Sequence, residues 1–86
     1  EFNFLDLVVY PNPARDFVNI SFDVSIKSSF ELSLVNILGE TLIKEKIINQ
    51  QGDYKYTFET SKFNHGIYFI EILTEKGKIT KRVILQ

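Results

Sequence analysis

Apolar residues in this 86-residue chain recur with a period of two almost throughout, and that spacing constrains the fold more than any other feature. Successive side chains of a strand point to opposite faces, so such alternation describes a sheet with one buried face. Val18, Ile20 and Phe22 alternate with Asn19 and Ser21. Phe30, Leu32 and Leu34 alternate with Glu31 and Ser33. Tyr54, Tyr56 and Phe58 alternate with Lys55, Thr57 and Glu59, and Tyr68, Ile70 and Ile72 share a face further on. A helical period of 3.6 is not evident anywhere. Of these, Val18, Ile20, Phe22, Leu32, Leu34, Tyr56, Phe58, Tyr68, Ile70 and Ile72 form the predicted core.

Turn chemistry divides the pattern. Pro11 and Pro13 fix φ and remove two backbone donors, which ends a first strand at residues 7–10. A polar break covers residues 25–29. In Asn36-Ile37-Leu38-Gly39-Glu40, the Asn can bond its own backbone two residues on and Gly39 can take positive φ, so a tight turn is expected. Gly52 marks a loop, and Glu75-Lys76-Gly77 marks a hairpin. Seven short strands follow, at residues 7–10, 17–22, 30–34, 41–48, 54–59, 67–74 and 79–85. Turn signals at this spacing indicate an antiparallel sandwich or small barrel. Phe63-x-x-Gly66-x-Tyr68 has the form of a tyrosine corner, which favours an immunoglobulin-like β-sandwich.

A chain of this length supports a single domain. It contains no cysteine, so neither a disulfide nor a thiolate site can reinforce it. Its net charge of −1 lacks the basic excess of a nucleic-acid binder. Its charges are nevertheless uneven. Residues 1–26 carry Glu1, Asp6, Asp16 and Asp23 against Arg15, while residues 75–86 carry Lys76, Lys78, Lys81 and Arg82 against Glu75. The basic end reads either as an edge strand guarded by lysines or as a docking element. No apolar run is long enough for a membrane-spanning helix. The absence of methionine, even at position 1, suggests a processed or excised piece of a longer chain, with any export signal upstream. Residues 1–6 read as a residual linker or cloning scar, and residues 7–86 as the domain.

Catalytic chemistry is not expected. The sole histidine, His65, stands in a turn beside Gly66 without a partnering nucleophile, and a solvated turn residue is the simpler reading. Zinc would need several carboxylates to converge around one histidine, and the Asp-x-Asp spacing of a calcium loop is absent. No catalytic residue, metal ligand or cofactor is therefore assigned. The face of Tyr54, Tyr56 and Phe58 could serve a sugar, but core is its ordinary use. Ile67, Phe69 and Leu73 around Glu71 would mark a contact site if exposed.

Specific motifs carry a family resemblance. Val9-Tyr10-Pro11-Asn12-Pro13-Ala14 followed by Phe17-Val18-Asn19-Ile20 resembles the opening motif of type IX secretion system C-terminal sorting domains, the Por secretion tail, type A. Val35-Asn36-Ile37-Leu38-Gly39-Glu40 is similar to their hairpin motif, with Asn36 and Leu38 where Asp and a small residue are common. Gly66-Ile67-Tyr68-Phe69, Thr74-Glu75-Lys76-Gly77 and Thr80-Lys81-Arg82-Val83-Ile84-Leu85 resemble the closing motifs. The match spans residues 7–86.

The resemblance implies a folded secretion signal, covalently continuous with an upstream cargo domain. Such a signal passes through the periplasm, is recognised by an outer-membrane translocon and is removed by a cell-surface sortase, leaving cargo at the surface or secreted. Nucleic acid is not an expected partner. A partner strand could add to the sheet edge, or side chains of the last hairpin could be read directly. Lys81, Arg82, Val83, Ile84 and Leu85 are the candidate contacts, and Pro11, Pro13, Gly39, Gly66 and Tyr68 are candidates for shaping the domain. A fibronectin-like adhesion or carbohydrate-binding module is the alternative, and a small accessory domain of a hydrolase is another.

Overall fold

The structure is a computed structural model that describes residues 3–86. It is all-β, with every strand pairing antiparallel. The strands are β1 (Asn3–Tyr10), β2 (Phe17–Asn36), β3 (Thr41–Glu59), β4 (Gly66–Thr74) and β5 (Gly77–Leu85). They form one sheet in the order β1-β2-β4-β5, with β3 along the other edge of β2.

Five strands replace the seven predicted because the polar break at 25–29 is a bend, not a connection. β2 stays bonded to β3 on both sides of the bend, with register shifts between Val24 and Ser28 and between Ser28 and Phe30. Opposite it, Asn49 (φ 55°) and Gly52 (φ 90°) adopt left-handed backbone, which lets β3 turn in step. Extra residues on one strand bend it without ending the ladder. The predicted strands 2 and 3 thus form one strand, as do 4 and 5. The first strand also begins earlier than residue 7, at Asn3.

The bend divides the sheet into two limbs. The first half of β2 lies between β1 and the second half of β3. Its second half lies between the first half of β3 and β4, with β5 beyond. The limbs curl onto a shared core. Val18, Ile20, Phe22 and Val24 from the first meet Phe30, Leu32, Leu34, Tyr68, Ile70, Ile72, Val83 and Leu85 from the second. Phe22 and Phe30 pack edge to face with centroids 5.3 Å apart, and Tyr54 completes the cluster at 5.5 and 5.3 Å. Along a straight strand the separation of Phe22 from Phe30 would be about 26 Å, so their contact is made by the bend and holds it.

The predicted core is buried, except that Tyr56 is half-buried. It gains Ala14, Val24, Phe30, Val83 and Leu85. Val35 is buried as well but lies outside the core cluster, on the opposite face of the sheet.

Candidate functional site

β5 is an edge strand, paired with β4 from Thr74↔Gly77 to Gly66↔Leu85. Its other edge carries outward backbone groups, and the segment after β1 covers the last of these. The Asn12 side chain accepts from the Ile84 amide at 3.0 Å and donates to the Arg82 carbonyl at 3.3 Å. The Ala14 amide donates to the Ile84 carbonyl at 2.8 Å, and the Gln86 amide donates to the Ala14 carbonyl at 2.7 Å. Ala14 thereby makes a parallel bridge with Leu85 and is fully buried. The opening motif acts as a strap across the closing motif. Addition of a partner strand over residues 82–86 would require the strap to leave, so direct reading of side chains is the accessible mode there.

Sequence reasoning emphasised Pro11 and Pro13, whereas Asn12 and Ala14 make the bonds. Both prolines are exposed and follow cis peptides. The missed signal is a donor–acceptor side chain between two residues that lack an amide hydrogen, followed by a small apolar residue.

The five candidate contacts separate by parity. Val83 and Leu85 are buried in the core. Lys81 stands opposite Ile70, on the core-facing side, and is exposed at the sheet edge. Arg82 stands opposite Phe69, on the outer face, and Ile84 stands opposite Ile67 on that same face. Lys81 and Arg82 are therefore sequence neighbours that present to opposite sides. Arg82 and Ile84 are brought together, and Ile67, Phe69 and Val35 join them through the pairs Ile67↔Ile84, Phe69↔Arg82 and Val35↔Phe69. The β4 face left open in the sequence reading is partly exposed: Ile67 is 40% and Leu73 49% exposed, and Phe69 is half-buried.

The shaping residues act as local chemistry requires. The Asn36 Oδ1 accepts from the Leu38 and Glu40 amides at 3.0 and 2.9 Å, while its Nδ2 donates to Glu40 Oε1 at 2.7 Å. Gly39 at φ 87° closes this turn, donating to the Asn36 carbonyl at 3.0 Å. Ile37 and Leu38 project from it, 72% and 81% exposed. The Tyr68 hydroxyl donates to the Asn64 carbonyl at 2.7 Å, so the tyrosine corner is present. Gly66 at φ 151° opens β4 opposite Leu85. Thr60 anchors the same connection, its hydroxyl donating to the Arg15 carbonyl at 3.0 Å and its amide to the Asp16 carbonyl at 2.9 Å.

His65 is exposed in that connection. Among the described residues, no three His, Cys, Asp or Glu side chains converge. The sugar-facing alternative for Tyr54 and Phe58 meets a packed arrangement: Phe58 is fully buried, and Tyr54 packs against Phe22 and Phe30. Burial pushes the Tyr54 hydroxyl up to about 12, with smaller contributions from Glu45 and Tyr56. Burial followed by Glu45 raises Tyr56 as well.

The arrangement is a partly exposed apolar face beside a strapped edge strand. No curated protein matches the chain. A profile for the secretion system C-terminal sorting domain matches residues 8–86, which includes the strap, the Asn36 turn, the tyrosine corner and β5. The chain belongs to this family, the type IX secretion C-terminal sorting domains, and serves as a signal for export to the cell surface or medium.

Proposed function

We propose that the outer-membrane translocon of the type IX system reads this domain through β5 side chains while the domain is folded in the periplasm. The domain spans residues 7–86 and is continuous with an upstream cargo. A cell-surface sortase then removes it ahead of β1. The observation that carries the reading is the strap: residues 12–14 occupy the backbone edge at 82–86 and leave Lys81, Arg82 and Ile84 as side-chain contacts. The domain acts as a ligand for that machinery and not as an enzyme, a reading that rests on its family and on its solitary exposed His65. The two limbs correspond to the two layers of an immunoglobulin-like sandwich, with bent strands in place of two connections. Both limbs lining one core supports that correspondence.

Fusion to a passenger tests the proposal in a bacterium that carries this system. The fusion should reach the surface or medium, and removal of residues 81–86 should leave it in the periplasm. That truncation also removes Val83 and Leu85 from the core, so the sharper comparison is Lys81→Ala with Arg82→Ala. Unchanged export by this folded double variant would refute side-chain reading of β5.

A further inference from the structure

We infer that the docking surface is the outer face of the second limb, made by Ile67, Phe69, Ile84 and Arg82, and that it receives a protein surface that is apolar with a carboxylate at its rim. This rests on the sorting reading and names the partner chemistry for it.

Three observations converge. The first is contiguity of apolar side chains on the wrong side of the sheet. Ile67 faces Ile84 and Phe69 faces Val35 in adjacent rows, all outside the core cluster. Directly opposed side chains in a sheet touch, so these form one patch, with Val35 buried at its base, Phe69 and Ile84 half-buried and Ile67 exposed, and an apolar patch that reaches the surface marks a contact site. The Asn36–Glu40 turn begins at the Asn36↔Tyr68 pair itself and sets Ile37 and Leu38 at the same end.

The second observation is charge. Toward the far end of this face, Lys44 pairs with Glu31 at 3.9 Å and Lys78 with Glu71 at 3.7 Å, while Lys46 stands opposite Glu31. Arg82, set against Phe69, has no carboxylate within ion-pair distance among the described residues. Two of the three lysines are paired, Lys46 lies at the far end opposite an already paired Glu31, and Arg82 is the cation set beside the apolar patch. One cation against apolar side chains fits a protein surface bearing a single Asp or Glu, where Arg supplies a planar fork for bidentate pairing. An anionic lipid surface would instead draw on a cluster of cations.

The third observation is the strap. It closes the backbone edge next to this patch, so a partner approaches the face and not the edge.

The experiment compares export of a passenger fused to the intact domain with export by Arg82→Glu, Ile67→Gln and Ile48→Gln variants. Ile48 is an exposed apolar residue on β3 and serves as the control. Arg82→Glu and Ile67→Gln should each lower export by about tenfold or more, as loss of a central contact does, while Arg82→Lys retains part of it. Ile48→Gln should export normally. A photoreactive residue at position 67 should crosslink to a component of the secretion machinery, and one at position 48 should not. Thermal melts identify any misfolded variant, and the position 67 crosslink then decides in its place. If the intact fusion stays in the periplasm, the sorting reading itself fails. If it is exported, and folded Arg82→Glu and Ile67→Gln variants are exported equally well, only this surface is wrong. Crosslinking of position 67 to a second copy of the domain, or to lipid alone, would also overturn it.

Discussion

Asn12 and Ile84 lie 72 positions apart in the chain and meet through a 3.0 Å hydrogen bond. With its second bond to the Arg82 carbonyl, Asn12 does for β5 what a neighbouring strand would do. Asn12→Ala should destabilise the domain by about 1–2 kcal/mol, from two net hydrogen bonds at a partly solvated edge. Asn12→Asp keeps the acceptor for Ile84 and loses the donor for Arg82, so it should fall between. Urea denaturation at constant m-value is the measurement.

Tyr68→Phe should lower stability by about 1 kcal/mol, because it removes the bond to the Asn64 carbonyl and leaves the ring in the core. Hydrogen exchange should speed up in the connection at 60–65 more than in β4. Equal protection there would show that Thr60 alone orders the connection.

Phe30→Ala removes a buried ring that touches both Phe22 and Tyr54 across the bend. The expected loss is about 3–5 kcal/mol, against a usual total of about 5–15 kcal/mol for a small domain. A loss comparable to that of an isolated surface residue would mean that the aromatic cluster does not hold the limbs together.

Gly39→Ala should cost about 1 kcal/mol or more, since its φ of 87° strains any residue with a Cβ even though open space surrounds it. Leu38→Ser, one residue earlier and 81% exposed, should change stability by no more than about 0.5 kcal/mol. Paired thermal melts separate the two roles within one turn.

The raised Tyr54 hydroxyl predicts alkaline sensitivity. Unfolded tyrosine ionises near 10, whereas Tyr54 in the folded state ionises near 12 and Tyr56 is shifted in the same direction. Between those values the unfolded chain has released a proton that the folded chain retains, so rising pH favours unfolding. The contribution is fully present below pH 10 and is lost by about pH 12. Tyr54→Phe should flatten the fall in urea midpoint over that window, and Glu45→Gln should reduce it less, because burial is the larger cause.

The sequence by itself determined the face each side chain takes. Alternation is a property of two adjacent residues, and it placed Ile70 and Ile72 on one face and Ile67 and Leu73 on the other without knowledge of any partner, while the exposure of the second face came from the fold. The Asn36 turn, the Glu75-Lys76 hairpin and the Tyr68 corner were legible for the same reason: each closes through bonds spanning no more than four residues. Tertiary structure decided what local pattern cannot express. Residues 25–29 look like a connection because they are polar, yet continued pairing of β2 with β3 on both sides makes them a bulged bend. The strap depends on Asn12 meeting Ile84, and an exposed Asn between two prolines has no local reason to select that partner. The division of Lys81 from Arg82 was implicit in the alternation. Its meaning for docking came only when β4 set Phe69 beside Arg82, and the core enclosed Val83 and Leu85. Periodicity assigns a residue to a face, but the fold alone determines which distant residues share that face.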